Sequence, residues 1–153
     1  MKIITQNKKA LFDYEVLDSI ETGILLTGDE VKSLRAGHVS LPGSFGNIHD
    51  GELYMINCHI APYSHSYSKA DEQLSRRSRK LLVHRKELNR IIGEVSQKGV
   101  TLVPLKLYFN NKGKVKVDLA ICKHKKARVQ KEEIKERDIK RQTRRELKDV
   151  YKY

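Results

Sequence analysis

Cysteine is scarce in this chain: Cys58 and Cys122 are its two thiols in 153 residues. Two are too few for a disulfide framework and fit the reduced thiols of a cytosol. Neither has a second Cys or His at ligand spacing, so no zinc motif is present. Long hydrophobic runs are missing as well. No stretch reaches the roughly 18 apolar residues that span a bilayer, and the opening MKIITQNKKALFDYE lacks the uncharged core and cleavage site of a signal peptide. A soluble, cytoplasmic protein is the expectation. Catalytic spacing is also absent: His38, His49, His59, His65, His84 and His124 are scattered, with no Ser/His/Asp spacing, Gly-rich phosphate loop or HExxH pattern. The residues offer an enzyme no constellation, and no cofactor or metal is expected.

What the chain has is positive charge. It carries 31 Lys and Arg against 19 Asp and Glu, a net charge of +12, with 39% hydrophobic residues for one compact core. Clustered cations release condensed counterions on meeting phosphates, so nucleic acid or an anionic membrane surface is the partner class implied. The charge is uneven. Residues 123–153 hold 13 Lys and Arg against 6 Asp and Glu, or +7, leaving +5 for the other 122. A boundary near Lys123 therefore divides a folded body, 1–122, from a basic extension, 123–153.

The body reads mainly as strands. Asp50-Gly51 between SFGNIH and ELYMINCHI predicts a tight hairpin, and Asn110 to Gly113 joins VTLVPLKLYF to KVKVDLAI in a second. In the latter strand Val115, Val117, Leu119 and Ile121 alternate with Lys114, Lys116, Asp118 and Ala120, which predicts one buried and one mostly polar face. LFDYEVLDSIETGILLTG supplies one or two more strands, with a bend or bulge at Glu21-Thr22-Gly23. Two helices are expected: EVKSLRA, capped by Asp29 and ended by Gly37, and HRKELNRIIGEVSQKG, where Leu88, Ile91, Ile92 and Val95 share one face. Short antiparallel strands with flanking short helices suggest a mainly β, small OB-like barrel, with a sheet-plus-helices sandwich as the alternative.

Two basic segments stand out. RRSRKLLVHRKELNR follows a polar loop containing Tyr63, His65 and Tyr67, and cations interleaved with rings suit an RNA offering phosphates and unstacked bases. A solvated helix face is the plainer reading of the same residues. In the extension Arg137, Lys140, Arg141, Arg144, Arg145 and Lys148 follow helical spacing, whereas Ile134, Ile139, Leu147 and Val150 are too few and badly phased to dock on the body. An arm that is disordered when free and helical once a polyanion neutralises it is the expectation. The missing apolar stripe argues against a membrane helix.

The stretches NKKALFDYE (7–15), ETGILLTGDEVKSLRAG (21–37), GELYMINCHIAPY (51–63), RSRKLLVHRKEL (77–88), KGVTLVPLKLYF (98–109) and KVKVDLAICKHKK (114–126) resemble the SmpB, or SsrA-binding protein, family over nearly the whole chain. The resemblance implies an OB-like barrel without enzymatic activity that binds the tRNA-like domain of transfer-messenger RNA and replaces its missing anticodon stem. The complex is then delivered to stalled ribosomes by the elongation factor that carries aminoacyl-tRNA. There the tail, helical on the ribosome, follows the empty mRNA channel along small-subunit rRNA. A monomer suits this mimicry, and a general OB-type RNA-binding or ribosome-associated protein is the alternative.

By position, the resemblance assigns RNA contact to Asn7, Glu21 and Leu82, with Lys8, Lys9, Arg79, Lys80 and His84 around them. Asn7 has a second reading as a turn cap, and Leu82 as core. The resemblance assigns the decoding-centre tail to Lys123, Lys125, Lys126, Arg128, Lys131, Arg137, Lys140, Arg141, Arg144 and Arg145. The chain departs from the family at His124, where a glycine is usual, and at Arg128, where a ring is usual; a guanidinium can stack in that ring's place.

Overall fold

The structure, a computed structural model, describes residues 1–62 and 74–125 together with Arg137 and Arg141. Tyr63, His65 and Tyr67, and of the tail Lys126, Arg128, Lys131, Lys140, Arg144 and Arg145, lie outside the described residues.

Nine strands and three helices are described: β1 (Lys2–Gln6), α1 (Lys8–Asp13), β2 (Tyr14–Ile24), α2 (Gly28–Arg35), β3 (Val39–Ser40), β4 (Phe45–His49), β5 (Glu52–Ile56), β6 (His59–Ile60), β7 (Arg79–Leu82), α3 (Arg85–Val95), β8 (Val100–Phe109) and β9 (Val115–His124). Seven strands form an antiparallel sheet in the order β1-β8-β4-β5-β7-β2-β9, and β9 also pairs with β8 along most of its length. The ladder thus curls back on itself in OB-like fashion. Its weakest seam is β4 against β8, registered at Gly46 and Leu102 alone. A Cβ on Gly46 would sit 2.8 Å from that of Leu102, so glycine is what lets these strands meet. A two-stranded sheet, β3 with β6, lies beside the main one.

The expected hairpins form. Asp50 (φ 50°) and Gly51 (φ 73°) are both left-handed, the two-residue turn whose twist matches the strands it joins. Leu53, Met55, Leu81, Leu102, Leu107, Val117, Leu119 and Ile121 fill the interior, joined by Leu34 of α2 and by Leu88 and Ile91 of α3. Ile92, expected on the buried face of α3, is 38% exposed.

Four local expectations are corrected. Residues 11–13, read as the start of a strand, belong to α1: Asn7 accepts from the Ala10 amide at 3.2 Å and starts a helix too short to show periodicity. The cap of α2 is Thr27 instead of Asp29. Its hydroxyl accepts from the Glu30 amide while the Glu30 carboxylate accepts from the Thr27 amide, a reciprocal capping box. The irregularity in β2 lies between Val16 and Asp18, not at 21–23. The outer face of β9 is mostly polar, as expected, up to Ala120 and Cys122, which are buried, with Cys122 packing against Ala10 of α1 and Val103. β9 also runs to His124, two residues past the boundary expected at 122.

Candidate RNA-binding groove

At the far end of β2 the backbone opens into a groove of about 950 Å³, between β2, the end of β7, the start of α3 and the turn into β9. Three residues singled out in the sequence meet there: Glu21, Leu82 and His84. In β7 the burial alternates, with Arg79 and Leu81 inside and Leu82 outward, 44% exposed. Leu82 is therefore groove surface, not core. Gly23 faces it across the β2–β7 ladder, and a Cβ there would come within 3.3 Å of the Leu82 Cβ. Leu25, also exposed, extends the apolar floor. Cations line the rim: Arg90 from α3, paired with Asp18 of β2, Lys114 from the turn before β9 and Lys116 from β9.

Two acids line the groove, Glu87 of α3 and Glu21 of β2. The Glu21 Oε2 accepts from the hydroxyl of Tyr108, which reaches it from β8 across β9. Asp118 stands opposite Glu21 on β9, and Lys106 stands opposite Asp118 on β8. Burial raises the Asp118 carboxyl above its ordinary value; Lys106 opposes the shift and the neighbouring Glu21 adds to it.

The remaining predicted residues are distributed elsewhere. Arg79 is fully buried, a correction to its expected place among surface phosphate contacts. Its guanidinium donates to Glu30 through Nε at 2.5 Å, to the Cys58 carbonyl at 2.7 Å and to the Ser75 carbonyl at 3.0 Å. Arg77 donates to the other Glu30 oxygen. Burial alone would raise the Glu30 carboxyl, but hydrogen bonds from Arg77, the Thr27 amide and Arg79 outweigh it and hold it below the ordinary range. The result is a clasp between α2 and β7. Asn7 is buried too: besides capping α1, its Nδ2 donates to the Pro104 carbonyl at 3.2 Å. Lys80 is partly exposed and pairs with Glu52 at 3.6 Å.

Lys8 and Lys9 are exposed on α1, at the opposite end of β2 from the groove. The root of the tail gathers at the same end. The Lys125 amide donates to the Asp13 carbonyl at 2.9 Å and its Nζ to that of Leu11 at 3.1 Å, while Lys123 is exposed. The His124 ring packs on Tyr14 at 4.3 Å between centroids, and the Arg137 guanidinium lies 5.3 Å from the centre of the Phe12 ring. Arg141 is exposed.

Sequence reasoning missed Lys114 and Lys116 as parts of the groove lining and Tyr108 as the partner of Glu21. Alternation in LKLYF and KVKVDL marked them as strand residues, and no local signal says which outward positions border a cleft. Among the described residues no helix is long and apolar enough to cross a membrane, and no three of His, Cys, Asp and Glu cluster closely enough to hold a metal.

Fold and groove together define a small OB-like β protein whose apolar cleft is ringed by cations, an architecture suited to nucleic acid. Over residues 4–149 the chain matches the family described as SmpB protein, and it belongs to that family. It is 47% identical over 148 residues to an SsrA-binding protein of Symbiobacterium thermophilum, covering 97% of this chain and 92% of the relative. It is 50% identical over 142 residues to an SsrA-binding protein of Thermus thermophilus, covering 92% and 96%. A solved structure described as "tmRNA-SmpB: a journey to the center of the bacterial ribosome" contains a chain similar to this one at 54% identity, with a TM-score of 0.66 over 80% of this chain and 85% of that one.

Proposed function

We propose that this protein is a non-enzymatic partner of transfer-messenger RNA that carries the RNA to stalled ribosomes for rescue by trans-translation. The observation that carries the reading is the convergence of Glu21, Leu82 and His84 in one groove with a cationic rim, in a chain of the SmpB family. The apolar floor takes unstacked base or sugar surface, the rim takes phosphates, and Glu21, which as a carboxylate only accepts, takes N–H or 2′-hydroxyl donors. The body stands in for the RNA's missing anticodon stem, as a monomer in the cytoplasm, and the elongation factor acts through the RNA.

Lys8 and Lys9 sit with the tail root, so a second contact with RNA phosphates belongs to that end. There the tail, from Lys123 through Arg145, follows the vacant mRNA channel. Truncation from Lys131 onward tests the division. Affinity for transfer-messenger RNA should stay within about threefold, as expected when only a screened, sequence-independent attraction is removed, while rescue in reconstituted translation disappears. Equal collapse of both would place the tail in the primary RNA site.

A further inference from the structure

Behind the groove, outside its lining, one buried side chain reaches the lining residue Glu21. Tyr108 is 5% exposed, yet its hydroxyl emerges beside Glu21 and donates to the carboxylate. The geometry spans three strands. On β8, β9 and β2, Lys106, Asp118 and Glu21 form one row, and Tyr108, Lys116 and Gly23 form the next row on the same face. A side chain at position 23 would crowd Leu82, so glycine there keeps the cleft wall open beside Glu21.

An exposed glutamate in a cationic groove has strong alternatives to a single orientation. It can swing toward Lys116 or Lys114, or out into water, and each such state withdraws the acceptor from an incoming RNA. The Lys106 Nζ lies 5.6 Å from the centre of the Tyr108 ring, and Lys106 and Asp118 share the Glu21 row of the ladder without lining the groove. We propose that Tyr108 is a positioning residue for RNA recognition: its hydroxyl holds one oxygen of Glu21 and leaves the other directed to an N–H or 2′-hydroxyl donor of the RNA. This rests on the groove being the RNA site. The phenol is suited to the task, since burial, the hydrogen bond to Glu21 and that residue's charge all raise its pKa and keep it a donor throughout the physiological range.

Tyr108→Phe removes the hydroxyl and keeps the ring. In the full-length protein, affinity for transfer-messenger RNA should fall roughly tenfold, the size of one hydrogen bond to a charged group, with the salt dependence unchanged. The same substitution in a Glu21→Ala background should add nothing. Ultraviolet titration of the tyrosines supplies a readout that keeps the hydroxyl in place and does not depend on the variant's stability: in Glu21→Ala one phenol should ionise at lower pH than in the wild type. If Glu21→Ala weakens binding but Tyr108→Phe does not, or if the two losses simply add, the positioning role is overturned and the groove stands. An unshifted titration would overturn it likewise. If Glu21→Ala leaves affinity unchanged, the groove reading itself falls.

Discussion

The two ends of β2 carry surfaces built on opposite principles. Tyr14 and Gly23 lie roughly 30 Å apart along the strand at about 3.3 Å per residue. At the Gly23 end, the chemistry is held by strands: Leu82 stands on a ladder, Glu21 is tied to Tyr108, and the cations form only the rim. At the Tyr14 end, Lys8, Lys9 and Lys123 are exposed on a short helix and a strand end, with rings from Phe12, Tyr14 and His124 among them. A surface of fixed shape discriminates between RNAs; a surface of exposed cations attracts any of them and weakens with salt. On the proposed function, one small domain thus holds both kinds of binding without their sharing a residue.

The largest effect that separates the ends should come from beneath the groove. Arg79→Ala leaves Glu30 with Arg77 alone, strips the Cys58 and Ser75 carbonyls of their donor and loosens β7 from α2, which should cost about 3 to 5 kcal/mol in urea denaturation. A loss below about 1 kcal/mol would mean that the clasp behaves as a surface pair and that β7 holds Leu82 without it. Leu82→Glu is next. It should leave the melting temperature nearly unchanged and weaken transfer-messenger RNA binding by about 2 kcal/mol, the scale of an interface hot spot.

Acid should unfasten the groove end first. A carboxyl held below its ordinary 4.5 contributes stability that is complete above that value and is lost as pH falls through the lower folded value. Glu30→Gln should therefore be less stable than wild type at pH 7, with the difference shrinking below pH 4.5. A constant difference across that range would exclude the Glu30 charge as its source. The smallest effect belongs to the other end: Lys8→Ala with Lys9→Ala should lower the slope of log affinity against log salt by at most about 2, near one unit for each phosphate no longer neutralised.

Much of this contrast was legible in the sequence, and the failures are instructive. Asp50-Gly51 and the alternation in KVKVDLAI announced strands and turns because both signals are local. Leu82 and Glu21 were found through family resemblance, and the structure adds that they share a cleft. Arg79 defeated sequence reasoning because RRSRKLL gives every cation the same appearance. Only the ladder shows that position 79 points inward and that Glu30, 49 residues earlier, waits for it. The helix α1 was missed for a related reason: six residues do not complete two turns, and Asn7, which starts it, also satisfies the Pro104 carbonyl from a distant strand.

The most direct test of the central claim is equilibrium binding of the full-length protein and Leu82→Glu to transfer-messenger RNA and to an unrelated structured RNA of equal length, at low and moderate salt. A wild-type preference for transfer-messenger RNA that survives the higher salt and is lost in Leu82→Glu is the result predicted for a shaped groove. Equal affinity for both RNAs, abolished by salt and indifferent to Leu82, would contradict it and leave a basic surface alone as the source of binding.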